Sequence, residues 1–244
     1  MKLRDNIKDR ILILDGAMGT MIQGYHLTEQ DFRGNLELLQ MLNYQGNNDM
    51  LNLSRPNIIE DIHRRYLEVG ADIISTNTFS AQRISQADYH MESFSRDIAY
   101  AGAKLARKCA DEYSTADKPR YVAGSIGPTN KTCSMSPDVS DPAKRDLTYD
   151  ALFNAYSEQV AAMIEGGIDA VLIETIFDTL NAKVAIDASL SEMKKAGVDL
   201  PIMLSVTITD LSGRTLSGQT LDAFLASVSS YPIFSVGLNC SFGA

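Results

Sequence analysis

The chain has 244 residues, a hydrophobic share of 45% and a formal net charge of −9. That length suits one large α/β domain over residues 1–244, with enough apolar material for a sizeable core. The negative charge argues against nucleic acid or an anionic membrane as partner, and no stretch approaches the length of a bilayer span.

The N-terminal run Met1-Lys2-Leu3-Arg4-Asp5-Asn6-Ile7-Lys8-Asp9 has no apolar signal core, which points to the cytoplasm. Three cysteines, Cys109, Cys133 and Cys240, are too few and too scattered for a disulfide framework.

Short apolar runs bounded by turn residues read as strands at Ile11–Asp15, Ala71–Thr76, Tyr121–Ile126, Ala170–Glu174, Pro201–Thr207 and Phe234–Asn239. The unbroken Ile11-Leu12-Ile13-Leu14 fits a strand buried on both faces. Amphipathic helices fall between the strands. Pro56 opens one with Ile59, Ile62, Tyr66 and Val69 at helical spacing, and Gly70 stops it. Ile98, Leu105 and Cys109 mark a face of the next. Thr148 caps a helix carrying Leu152, Tyr156 and Met163 and ending at Gly166-Gly167. Asp178 caps another, with Leu180, Val184 and Met193 inward and Gly197 after it. Thr220 precedes Leu221, Phe224, Leu225 and Val228. The segment from Gln23 to Arg55 is the least regular.

A β/α series of six units gives an incomplete eight-stranded barrel or a complete open sheet, and periodicity does not choose between them. In either fold, chemistry gathers at the carboxyl ends of the parallel strands. Those ends carry Asp15-Gly16, Asn77-Thr78, Ser125 with Gly127-Pro128-Thr129, Glu174-Thr175, Thr209-Asp210 and Asn239-Cys240. Asp15 before Gly16, taken alone, reads as a turn residue. Thr78 and Asn77 can simply satisfy backbone groups. Glu174 follows Val171-Leu172-Ile173 directly, so it leaves a buried strand end and must be paired or hydrogen-bonded there. Gly16 and Gly19 lack dinucleotide or P-loop spacing and instead let the backbone approach something closely. Cys240 at a strand end is either filler or chemistry, Cys109 packs in a core, and Cys133 sits in a loop without an evident partner. None of His26, His63 and His90 lies at a strand end, which argues against a Cys/His hydrolase.

Taken together, the ordered motifs Leu14-Asp15-Gly16-Ala17-Met18-Gly19-Thr20-Met21-Ile22, Asp31-Phe32-Arg33-Gly34, Gly46-Asn47-Asn48-Asp49, Gly70-Ala71-Asp72-Ile73-Ile74 and Thr76-Asn77-Thr78-Phe79 form a pattern. It continues through Gly127-Pro128-Thr129-Asn130, Ile173-Glu174-Thr175, Phe177-Asp178-Thr179-Leu180-Asn181-Ala182-Lys183, Gly213-Arg214-Thr215-Leu216-Ser217-Gly218-Gln219-Thr220 and Gly237-Leu238-Asn239-Cys240. The set resembles the N-terminal homocysteine-binding module of cobalamin-dependent methionine synthases, from Ile11 to Gly243.

The resemblance implies a (β/α)8 barrel of which about six units are present, the chain being cut short at its C-terminal end. It implies that Cys240 is the first of three cysteine ligands to a catalytic zinc. The other two belong to a Gly-Gly-Cys-Cys-Gly motif that this sequence lacks. By the same resemblance Asp15 and Glu174 hold the ammonium of homocysteine, Gly16 backbone and Thr78 receive its carboxylate, and Asn239 supports the site. The methyl donor is then methylcobalamin on a separate cobalamin-binding module, recharged on a folate-binding module. Two other readings stand beside this one: a homocysteine methyltransferase using betaine or S-methylmethionine, and a non-catalytic fragment with open, association-prone sheet edges.

Overall fold

The computed structural model describes residues 2–37, 42–209 and 211–240. Asp210 and residues 241–244, read from the sequence as part of a strand end and of the tail, lie outside the described residues. In chain order the helices and strands are α1 (Leu3–Asn6), α2 (Met18–Gln23), α3 (Glu29–Arg33), α4 (Leu51–Ser54), α5 (Pro56–Glu68), β1 (Ile73–Ser75), α6 (Arg83–Gln86), α7 (Ser95–Tyr113) and β2 (Tyr121–Ile126). They continue with α8 (Tyr149–Gly166), β3 (Ala170–Ile176), α9 (Thr179–Ala196), β4 (Ile202–Val206), α10 (Leu221–Val228) and β5 (Ile233–Leu238). The five strands pair in sequence order and all in parallel. Parallel neighbours joined by helices give the α/β fold expected from the alternation, as part of a (β/α) barrel.

The helix ends follow the local chemistry of the sequence. The Thr148, Asp178 and Thr220 side chains each accept a bond from the backbone N–H three residues on, as N-caps do. Gly167 and Gly197 close α8 and α9 at φ of 98° and 68°, a region that favours a residue without a Cβ.

Alternation along the strands separates two cores. One face of the sheet packs Ile74, Val122, Ile126, Val171, Ile173, Ile202, Leu204 and Val206 against α5, α7, α8 and α9. The other face gathers Ile73, Tyr121, Ala123, Ala170 and Leu172 with Leu12, Met203 and Phe234. Leu3 of α1 joins this second cluster, so the N-terminal turn closes the barrel's amino end.

Three expectations are corrected. Ile11–Asp15 is not a ladder strand: it makes one parallel bridge, Leu14 to Ile73. Nor is it buried on both faces, since Ile11 is 83% and Ile13 55% exposed. It has β1 on one side and no partner strand on the other among the described residues, so it runs along an edge. It is held there by Arg10, whose guanidinium donates to both Asp72 carboxylate oxygens, and by the Ile13 N–H donating to Asp72. Val69 faces solvent because the chain leaves the helix there towards Gly70. Leu180, in the first turn of α9, is also exposed; Ala182, Val184 and Ala185 take the inner face instead. The irregular segment also proves more ordered than its sequence suggests. It contains α3 and α4, and it buries Asn47, Asp49 and Asn52 beneath the β1 end. Among the described residues no helix is long and apolar enough to cross a membrane.

Two predictions follow from the packing. A Cβ on Gly166 would run into the Ala103 Cβ and crowd the Tyr100 carbonyl, because α7 and α8 approach closely there. Gly166→Ala will cost about 2 kcal/mol by overpacking, read as a fall of several degrees in Tm. His63 is fully buried with neither ring nitrogen hydrogen-bonded, and burial pulls its pKa down to about 4. The unfolded histidine takes its proton near pH 6.5 and the folded one only near 4. Stability therefore falls as pH drops through that window, by about 3 kcal/mol from this group. Asp15 and Asp49, lifted to about 7 by burial, act in the opposite sense. The difference between parent and His63→Leu stability curves isolates the histidine; it should change between pH 7 and 4 and stay flat above 7.

Candidate active site

The alternation that buries Ile73, Ala123, Leu172 and Met203 inside the barrel places Ser75, Ser125, Glu174 and Ser205 two residues on, on the same face. Parallel pairing then brings these residues to one end of the sheet. A polar layer thus sits on the apolar plug, and Asp15, Asn239 and Cys240 join it from the neighbouring segments.

Asp15 follows the bridged edge segment. Its carboxylate accepts the Ser75 N–H at 2.9 Å and the Ser75 hydroxyl at 2.8 Å. Burial raises its pKa to about 7 against those bonds, and the charge of Glu174 pushes the same way. Glu174, at the end of β3, accepts the Ser125 hydroxyl at 2.6 Å, and burial raises its carboxyl above the ordinary range. Two desolvated carboxylates, with the charge of Glu174 adding to the rise at Asp15, form a site that favours a cation. Raised carboxylates of this kind are a mark of functional sites.

Gly16 is exposed, and a Cβ there would lie 2.9 Å from the Tyr66 hydroxyl. That hydroxyl donates to the Ala17 carbonyl at 3.3 Å, fixing the turn after Asp15. Asp15 in turn helps to raise the Tyr66 pKa, after burial.

Asn239 is the most connected of the expected residues. Its Oδ1 accepts the Thr175 N–H at 3.0 Å and the Ser205 hydroxyl at 2.8 Å. Its Nδ2 donates to the Thr175 hydroxyl at 2.8 Å and lies 3.4 Å from the Cys240 Sγ. Cys240 is exposed, whereas Cys109 and Cys133 are buried. Burial pushes the Cys109 thiol up to about 11, as suits a core thiol.

Thr78 is corrected. It is completely buried, its hydroxyl bonds to the Ser125 carbonyl and to Thr76, and its own carbonyl accepts from Gln159. Every polar group it offers is engaged from behind, so it braces the β2 end and presents nothing to a ligand. Asn77 likewise turns to Asn48 and Asn52.

Sequence reasoning passed over Ser75 and Ser205, read Tyr66 only as a helix-face residue, and named Ser125 and Thr175 without giving them a role. Period-2 alternation was the available signal for the three serines, each two residues beyond an inward apolar residue. Nothing in the sequence announced Tyr66, because its role depends on how α5 crosses the Gly16 turn. Glu174 also lines a pocket with Gly127, Pro128, Tyr156, Ile176 and Phe177. Among the described residues no three His, Cys, Asp or Glu side chains converge as a metal cluster would.

The fold is similar to that of the homocysteine methyltransferase MmuM from Escherichia coli. In its oxidized form the identity is 21% and the TM-score 0.73, over 98% of this chain and 76% of that chain. The metallated form matches at 20% identity and TM-score 0.73, over 98% and 77%. The apo form matches at 22% and 0.63, over 94% and 72%. At these identities the likeness speaks for the barrel. The sequence itself matches the model of the homocysteine S-methyltransferases over residues 12–244. With that match covering nearly all of it, the chain belongs to the homocysteine S-methyltransferase family.

Proposed function

We propose that this chain binds homocysteine for methylation to methionine by methylcobalamin carried on a separate module, as in the cobalamin-dependent methionine synthases its motifs resemble. The observation that carries the reading is the pair of serine-braced carboxylates, Asp15 and Glu174, at the same sheet end as the exposed thiol Cys240. A zwitterionic amino acid needs anions for its ammonium and N–H donors for its carboxylate. Asp15 and Glu174 answer the first need, and the exposed backbone at Gly16 answers the second. The ammonium would relieve the repulsion between the two carboxylates, so binding and site charge reinforce each other. The substrate's sulfur then points towards Cys240, with Asn239 behind it.

In the reaction the substrate sulfur takes the methyl group and its thiol proton leaves. The chain's own contribution is orientation: holding the amino-acid end fixed turns the sulfur towards a donor docked over the open face. The cobalamin-binding and folate-binding modules are the partners this reading requires. The donor itself rests on the segments Asp31-Phe32-Arg33-Gly34 and Gly46-Asn47-Asn48-Asp49, which resemble the cobalamin-dependent form. Methylation of bound homocysteine by betaine or S-methylmethionine, but not by methylcobalamin, would replace it.

Zinc enters this reading through Cys240 as one of three thiolate ligands. The described residues do not fit a zinc site by themselves, since Cys240 brings one thiol and no cluster surrounds it. Two further thiolates would have to come from elsewhere. A structural zinc site contributes roughly 10–16 kcal/mol only with its full ligand set. The 244-residue chain dialysed against a weak chelator is therefore expected to hold far less than one zinc, and stoichiometric retention measured by atomic absorption would contradict that.

The carboxylates set a pH dependence. Asp15 must be ionised to hold the ammonium, and its pKa is near 7. Affinity for homocysteine should thus rise about tenfold from pH 6 to pH 8, and Asp15→Asn should flatten the profile. Glu174→Gln, which keeps the shape and removes the charge, should weaken binding about ten- to a hundredfold. Calorimetric titration checks both, and unaltered affinity in both variants would remove the ammonium site from this place.

A further inference from the structure

The β3–β4 ladder slips by one residue where it matters most. Ile173 pairs with Leu204 and Ile176 with Val206, so three steps on β3 match two on β4. The extra residue falls at Glu174-Thr175. Thr175 sits at φ 58°, a left-handed conformation costly for a β-branched residue, and Cys240 sits at φ 51°. A bulge also takes a backbone N–H out of the ladder. Asn239 repairs both defects. Its Oδ1 accepts the Thr175 N–H, and its Nδ2 holds the Thr175 hydroxyl. Asn239 is in turn pinned to β4: its N–H donates to the Val206 carbonyl, its carbonyl accepts the Thr207 hydroxyl, and the Ser205 hydroxyl reaches its Oδ1.

One side chain therefore joins the residue after Glu174 to the residue before Cys240. We propose that Asn239, acting through Thr175, is the positioning residue that fixes the span between Glu174 and Cys240 and so selects an amino acid of homocysteine's length over cysteine. This rests on the reading that the ammonium lies at Glu174 and the sulfur at Cys240. The span is then a ruler built from hydrogen bonds across two strands. A substrate shorter by one methylene leaves one end short of its partner. Discrimination by a single methylene is typically about 10- to 200-fold.

The test uses the exposed Cys240 as a reporter, since Cys109 and Cys133 are buried. The 244-residue chain is equilibrated with homocystine and homocysteine, and separately with cystine and cysteine. The Cys240 thiolate displaces one thiol from the small disulfide, forming a mixed disulfide with no net oxidation. Intact mass gives the two exchange constants. In the parent, the homocysteine adduct should be favoured about tenfold or more. Asn239→Ala should bring the ratio to within about twofold of unity, and Thr175→Gly, which folds readily at positive φ, should lower it in the same direction. Calorimetry with 2-aminobutyrate, which has the amino-acid end and no sulfur, should change less than about twofold in either variant. A merely structural Asn239 would weaken that ligand as well.

Retention of the parental ratio in both variants overturns the inference and leaves the site reading intact. An equal loss of 2-aminobutyrate binding overturns it in favour of a structural role. A parental ratio near unity that Glu174→Gln does not alter removes the site reading, and the inference with it.

Discussion

Parallel pairing is the constraint on which everything else rests. Because β1 to β5 all run the same way, their carboxyl ends meet on one side of the sheet. Because side chains alternate, the residue two beyond each inward apolar side chain faces the same interior. Ile73 leads to Ser75, Ala123 to Ser125, Leu172 to Glu174 and Met203 to Ser205. The apolar layer below excludes water, and the polar layer above inherits that low-dielectric floor. The raised pKa values of Asp15 and Glu174 are the direct result: burial lifts both, and the serine hydroxyls and, at Asp15, the backbone N–H groups of Ser75 and Asp15 itself pull back.

The site is supported from behind as much as it is lined from within. Gln159 of α8 reaches the carbonyls of both Thr78 and Ser125, so an outer helix sets where the β1 and β2 ends stop. Thr78 bonds the Ser125 carbonyl, and Ser125 holds Glu174. A hydroxyl that looks available in the sequence is thus spent on placing another one. Beneath β1, the Asn47, Asn52 and Asn77 amides are satisfied by Gln86, by each other and by backbone carbonyls. Buried amides of this kind are costly unless fully paired, and pairing makes them rigid.

The two ends of the site depend on different physics. The ammonium end is electrostatic and is tuned by desolvation. The sulfur end is geometric and is held by the left-handed Thr175 and Cys240 with Asn239 between them. A strained backbone persists only where neighbours over-determine it, and Asn239 supplies that through both ends of its amide.

Much of this was legible in the sequence. The helix caps Thr148, Asp178 and Thr220, the stops at Gly167 and Gly197, and the strand β2 follow from local rules, because capping and turn geometry involve residues close in sequence. Asp15, Glu174 and Asn239 were legible as polar residues at the ends of apolar runs, and the ordered motifs carried the family. The tertiary structure alone decided which of them face inward. It hid Thr78, exposed Ile11 and Ile13, enlisted Tyr66 from a helix 50 residues away, and made Asn239 the bridge between β3, β4 and Cys240. The reason is physical: residue type and spacing fix local geometry, whereas burial and partner choice depend on which distant strand or helix arrives alongside.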